Sequence, residues 1–348
     1  MSKSMLPFGL FALAVLLHGC VQKETIVETT PVGDPFEIRA DQYSLSHYFV
    51  DTSYMSLYEP FYQSMGSPVV DPQARIYDCE VWVQRQDSSF SSSDRFGVAW
   101  MSLPARPSAG YDSSYRLAPE TLGTVEAARF QLMDPSWYRL EGEGYVGVVS
   151  FSPFSDPVPD ITFGIAYRRG DGSQYGDFVR DTPNNNTPLV LKLVKPRNLF
   201  INGPRYRVAW QMLLKNNYCI RPGRLVTYGF QLAIFRSDPS NGYDANLQGH
   251  ALLNVLGLDR FAADCTPRPE GDGQFDFRPG MTVNKDFGEI IFPSLRPFDT
   301  GIRRYFVEHG LPLPDSTYFC PEIYDATQAV ARQSAGNRYS IQGRAIFD

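Results

Sequence analysis

Cys20 is the residue best placed for covalent chemistry. It follows Leu17-His18-Gly19, at the end of an apolar run from Leu6 to Leu17 with Lys3 ahead of it. A run of about a dozen residues is an export signal rather than a membrane span, which needs roughly 20. The small Gly19 completes a lipobox, with His18 an unusual residue at its position. The expected product is cut before Cys20 and acylated there, so that lipid holds the chain on a membrane. Ordinary secretory cleavage, leaving Cys20 a plain thiol, is the competing outcome.

A second candidate chemistry is cation binding by Asp259, Asp264, Asp272 and Asp276, with Gly271 and Gly273 between them. Ca²⁺ takes six to eight oxygens, and glycines let a loop wrap closely around it. The segment lacks the D-x-[DN]-x-[DN]-G framework and closing Glu of an EF-hand loop. The competing reading is an Asp-Gly turn whose carboxylates cap their own backbone. Outside the signal, His47, His250 and His309 are far apart in sequence without metal-ligand spacing, and no G-x-S-x-G, H-E-x-x-H or P-loop is present. No cofactor is required by any motif, and the chain is expected not to be an enzyme. Cys79, Cys219, Cys265 and Cys320 allow three full disulfide pairings, none with close C-x-x-C spacing.

Around these residues the chain is β-rich. Thirty-two basic and 38 acidic residues give a net charge of −6 with the signs interspersed, which argues against nucleic acid as a partner. Twenty Tyr, 24 Phe, 27 Pro and 28 Gly point to many short strands and turns. Removal of residues 1–19 leaves 329 of the 348, and residues 20–36 form a polar tether. A first β module is expected over 37–135 and a second over 136–348. Ile76 to Val83 and Asp94 to Leu103 read as a hairpin with a long loop; Val125 to Met133 is strand or short helix. Further strands are expected at Tyr145 to Phe151, Ile161 to Tyr167, Gln174 to Val179, Leu189 to Val194, Val226 to Arg236, Glu289 to Phe292 and Arg338 to Phe347. Helical signal is confined to a turn within Ala251 to Leu258 and a helix over Pro321 to Ser334.

Read in order, the second module contains YRLEGEGYVGVVSF, ITFGIAYRRGDGSQYGDF, LVLKLVKP, WQMLLKNNY, LLNVLGLDRF, GDGQFDFRPGMTV and GEIIFPSLRPF. The first contains SLSHYFVDTSY, ARIYDCEVWVQR and FGVAWMSL. This collinear series resembles the soluble segments of the SprA/Sov family, the outer-membrane translocon of type IX secretion, also needed for gliding. Family members are several times longer and close a giant barrel. Here the β segments are short and Pro-broken, unlike the roughly 10-residue alternating strands of a membrane barrel. The resemblance therefore implies a soluble module without its pore: mainly β, one or two β-sandwich-like modules, a short C-terminal helix and no transmembrane barrel. It implies a lipid-anchored outer-membrane protein of Bacteroidota acting by protein binding within the secretion or gliding machinery. Gln22-Lys23-Glu24 resembles the export signal of surface lipoproteins in that phylum. A different class, a cell-surface glycan-binding lipoprotein, would use Trp82, Trp100, Trp137 and Trp210 as a stacking platform. Arg168 and Arg169, beside the Asp171-Gly172 turn, are candidate contacts for a partner.

Overall fold

The computed structural model describes residues 33–85, 93–152, 160–182, 186–238 and 242–348. The signal, Cys20 and the Gln22–Glu24 segment lie outside the described residues. The chain is mainly β, with several sheets and short helices between them. Its principal sheet runs Leu189–Lys195, Arg95–Trp100, Val125–Leu132, Ile76–Gln84, Phe163–Arg169, Gln174–Tyr175. Leu189–Lys195 also pairs with Phe163–Arg169, so the first five strands close into a ring. One neighbouring pair in it, Leu189–Lys195 with Arg95–Trp100, is parallel.

A five-stranded ring is narrow, and its inward positions must mix large and very small residues. Trp82 stands opposite Gly164, and the same glycine stands opposite Leu193. A Cβ on Gly164 would come within 3.1 Å of Leu191, so the missing side chain is what admits its large neighbours. Trp82 and Phe130 are fully buried.

A second, antiparallel sheet orders Asp34–Arg39, Tyr339–Phe347, Leu225–Asp238 and Gly242–Asp244. Two three-stranded sheets complete the frame around the polar centre. One joins His47–Phe49, Val148–Phe151 and Tyr138–Leu140; the other joins Asn217–Cys219, Glu289–Ile291 and Val283–Asn284. These pairings cross position 135/136 repeatedly: Ile76–Gln84 pairs with Phe163–Arg169, and His47–Phe49 with Val148–Phe151. One hydrophobic cluster extends from Ile38 to Ala345. No helix among the described residues is long and apolar enough to cross a membrane.

Several local expectations change. Ile76–Gln84 and Arg95–Trp100 do not form a hairpin, because Val125–Leu132, a strand and not a helix, lies between them and pairs with both. The helix expected over Pro321 to Ser334 is two short helices, Glu322–Asp325 and Gln328–Gln333. Ala326 is extended there, and the Thr327 side chain accepts from the Val330 N–H to start the second helix. Val330, in the second of these helices, is exposed. Helices at Met55–Tyr62, Arg207–Met212 and Ile302–Glu308 had no clear sequence signal. They are two turns or less, where tertiary packing rather than propensity decides, and the first carries Pro60 inside it.

The turn Glu141–Gly144 fixes how Tyr138–Leu140 runs into Val148–Phe151. Gly142, Glu143 and Gly144 all have positive φ, and a Cβ on Gly144 would overlap the Ile76 carbonyl oxygen. Gly144→Ala therefore combines strain with a backbone clash. We expect a loss of about 2–4 kcal/mol, read as a shifted urea midpoint at unchanged slope, while Gly172→Ala at an open turn loses much less.

Candidate functional site

The densest chemistry lies where the two small sheets meet. His47 comes from one, Ser150 from the strand beside it, and Glu289 and Asn284 from the other. His47 Nδ1 is 2.6 Å from Ser150 Oγ, and its Nε2 is 2.9 Å from Glu289 Oε1. Asn284 Nδ2 donates to Glu141 Oε1 and to Glu289 Oε2, each at 3.3 Å. Arg139 Nη1 donates to Asn284 Oδ1 at 3.2 Å and also reaches Asp286 at the surface.

Serine, histidine and carboxylate in one chain invite comparison with a nucleophilic triad, in which a neutral imidazole removes the serine proton. The surroundings here favour the charged imidazole instead. Burial opposes a charged His47, but adjacent Glu289, with Glu141 behind it, outweighs burial and raises the His47 pKa. When protonated, His47 donates from both nitrogens, to Ser150 and to Glu289. Ser150 is then free to donate its own proton to Glu141, whose pKa burial raises despite Arg139 and His47. Ser150 and Glu289 have no exposure and His47 only 2%. The cluster ties sheets together; no substrate carbonyl can reach it.

The acidic segment is also turned inward. Asp259 accepts the Asp272 and Gly273 N–H groups at 2.9 and 2.8 Å, and Asp276 accepts the Arg260 N–H. Asp264 accepts from Thr266 N–H and hydroxyl, and Asp272 from Gln274 N–H. Backbone donors thus occupy carboxylate oxygens that a cation would need. Among the described residues no group of three or more His, Cys, Asp or Glu side chains is arranged to hold a metal. A Cβ on Gly271 would overlap the Asp259 carboxylate, which explains the glycine without an ion.

The other residues singled out by sequence are spread through the fold. Trp82 is buried, Trp100 packs on Tyr115 at 5.2 Å, and Trp210 donates to the Tyr324 carbonyl at 2.9 Å. Of the four tryptophans only Trp137 is exposed. Lys215 lies 4.6 Å above the Trp210 ring, donates to the Trp210 and Leu213 carbonyls, and burial pushes its pKa down to about 7. Arg168 pairs with Asp78 at 3.0 Å and Asp181 at 2.6 Å, while Arg169 pairs with Asp171. Both arginines thus have partners within the chain. Cys79, Cys219 and Cys320 are free thiols, so no bridge joins any two of the four candidate cysteines. His250 and His309, distant in sequence, both touch Tyr305: His250 Nδ1 lies 3.3 Å from its hydroxyl, and the His309 ring stacks at 4.1 Å.

Sequence reasoning missed the His47 cluster because its members are 242 positions apart at the extremes. The available signal was a polar residue inside an apolar strand, as with Ser150 in VGVVSF. No protein-family model and no curated protein matches the chain.

Two outcomes follow from this geometry. A base with a raised native pKa stabilises fully below its unfolded pKa, and that contribution fades as pH rises through the native value. The stability gap between wild type and His47→Gln should therefore be about 2–4 kcal/mol near pH 6 and narrow toward pH 9 in urea titrations. A gap independent of pH would show that His47 is neutral in the fold. For the acidic loop, melting temperatures with Ca²⁺ and with chelator should coincide, since a cation bound only by the native state would raise the first.

Proposed function

We propose that this chain is a non-enzymatic, lipid-anchored outer-membrane protein that serves type IX secretion or gliding machinery by binding protein. The observation that carries this reading is where the resemblance to the SprA/Sov soluble segments falls. Glu141, Ser150, Asp177, Lys215, Asp259 and Glu289 belong to the seven motif segments, and each is buried. A buried polar group needs a partner at a fixed place, so such residues cannot drift independently of the fold. A collinear match through these positions supports a shared module rather than a shared catalytic site. Cys20 supports attachment by lipid where the larger relatives are held by their own pore. The sealed His47–Ser150–Glu289 chain adds that a triad-like constellation among the described residues lies buried between sheets.

The test is purification from detergent-solubilised membranes through a tag at the carboxyl end. Translocon or motor components should co-purify, and Cys20→Ser should move the protein out of the membrane fraction while abolishing metabolic labelling by palmitate. Clean purification without such components, repeated after crosslinking, would overturn the assignment to this machinery.

A further inference from the structure

A cleft of about 90 Å³ opens between the Leu252–Val255 turn with its following loop and the helix Ile302–Glu308. Asn254, Arg260, Arg304, Tyr305, Glu308 and His309 supply most of its polar lining. Liquid water occupies roughly 30 Å³ per molecule, so the space suits one carboxylate-sized head group. Sugars and drug-sized ligands need several hundred Å³.

The lining has more donors than acceptors. A guanidinium carries five N–H donors and no acceptor. Arg260 spends one, from Nη1, on the neutral Gln63 carbonyl at 2.6 Å. Among the described residues no carboxylate is ion-paired with its guanidinium, and Asp276 holds only its backbone N–H. Arg304 pairs with Glu59, whose oxygens also take the Ser294 hydroxyl and the Leu295 N–H. Asn254 donates to the Asp259 and Pro269 carbonyls, and His309 commits Nδ1 to the Tyr305 carbonyl. The second His309 nitrogen remains over. Burial lowers the Arg260 pKa, and Glu308 and Asp276 compensate only in part. A partly desolvated arginine with no carboxylate in contact with its guanidinium, and Glu308 only at longer range, is an incomplete ion pair.

We propose that this cleft takes one carboxylate group from a partner protein, held on Arg260 with Arg304 and His309 supplying further donors. The inference rests on the binding-module reading for the partner being a protein. Arginine suits the task because its fork matches both carboxylate oxygens at once. Glu308, exposed at the helix end, repels the incoming charge and sets the affinity lower than the arginines alone would give. An acidic side chain and a chain-terminal carboxylate share this chemistry.

The experiment uses the full-length protein and succinate as the probe, with melting temperature and calorimetric titration read at fixed ionic strength. Two hexapeptides then separate the sources, one with a glutamate side chain and amidated end, one all-alanine with a free carboxyl end. Saturable binding is expected, weakened about tenfold by Arg260→Gln, unchanged by Arg205→Gln on an exposed turn, and tightened by Glu308→Gln. Absence of saturable binding in wild type overturns the proposal. So does an affinity that Glu308→Gln leaves unchanged, an arm that holds even where the Arg260 variant unfolds. Failure here with co-purification intact would remove the carboxylate site and leave the function standing; the opposite pair of results would do the reverse.

Discussion

The buried His47–Glu289 pair is the constraint around which the rest is arranged. Its partners come from separate sheets, and neither side chain reaches water. Taking two charges out of water costs several kcal/mol per ion, recovered only when the remaining hydrogen-bonding capacity is met. Ser150, Asn284 and Glu141 meet it. That demand fixes the distance between the His47–Phe49 and Glu289–Ile291 strands, and with it the seating of the Glu141–Gly144 turn against Ile76. The left-handed backbone at Gly142, Glu143 and Gly144 is what brings Glu141 inward. A polar keystone of this kind specifies one arrangement where an apolar centre would accept several.

Strand identity was largely legible because it depends on alternation and β-branched content within a few residues. IYDCEVWVQ, LVLKLVK and YSIQGRAIF all form strands at their expected places. Strand order was not legible, because it depends on which distant segment fills a position. Placing Val125–Leu132 between Ile76–Gln84 and Arg95–Trp100 lets a fifth strand, Leu189–Lys195, close the ring in parallel beside Arg95–Trp100. No local pattern announces that closure. The short helices escaped for a related reason: Tyr58, Phe61 and Tyr62 bury against the rest of the molecule, and that contact, rather than helix propensity, pays for the turn at Pro60.

The acidic loop shows how one set of residues can serve two chemistries. Asp259 accepts the Asp272 and Gly273 N–H groups from across the loop, whereas Asp272 accepts the N–H two residues on, a local preference of aspartate at turns. The same preference recurs at Asp51, Asp112, Asp134, Asp171 and Asp315, each accepting from the N–H two residues on. Carboxylates used this way set loop geometry. The same loop ends at Asp276, which holds the Arg260 backbone and so orients that side chain toward the cleft.

How such a fold can recognise a partner is narrowed by its edges. Closing five strands into a ring removes the free edges through which another chain could add a strand. In the four-stranded sheet, one outer strand, Asp34–Arg39, carries Pro35 and the exposed charges Glu37 and Arg39, and the other, Gly242–Asp244, is three residues long. Proline and charge are the common means of blunting an edge, and a strand that short offers little to pair with. Under the proposed binding role, recognition would fall to side chains on the helical and loop face, where the Arg260 guanidinium lines a cleft with no carboxylate in contact with it and Glu308 only at longer range.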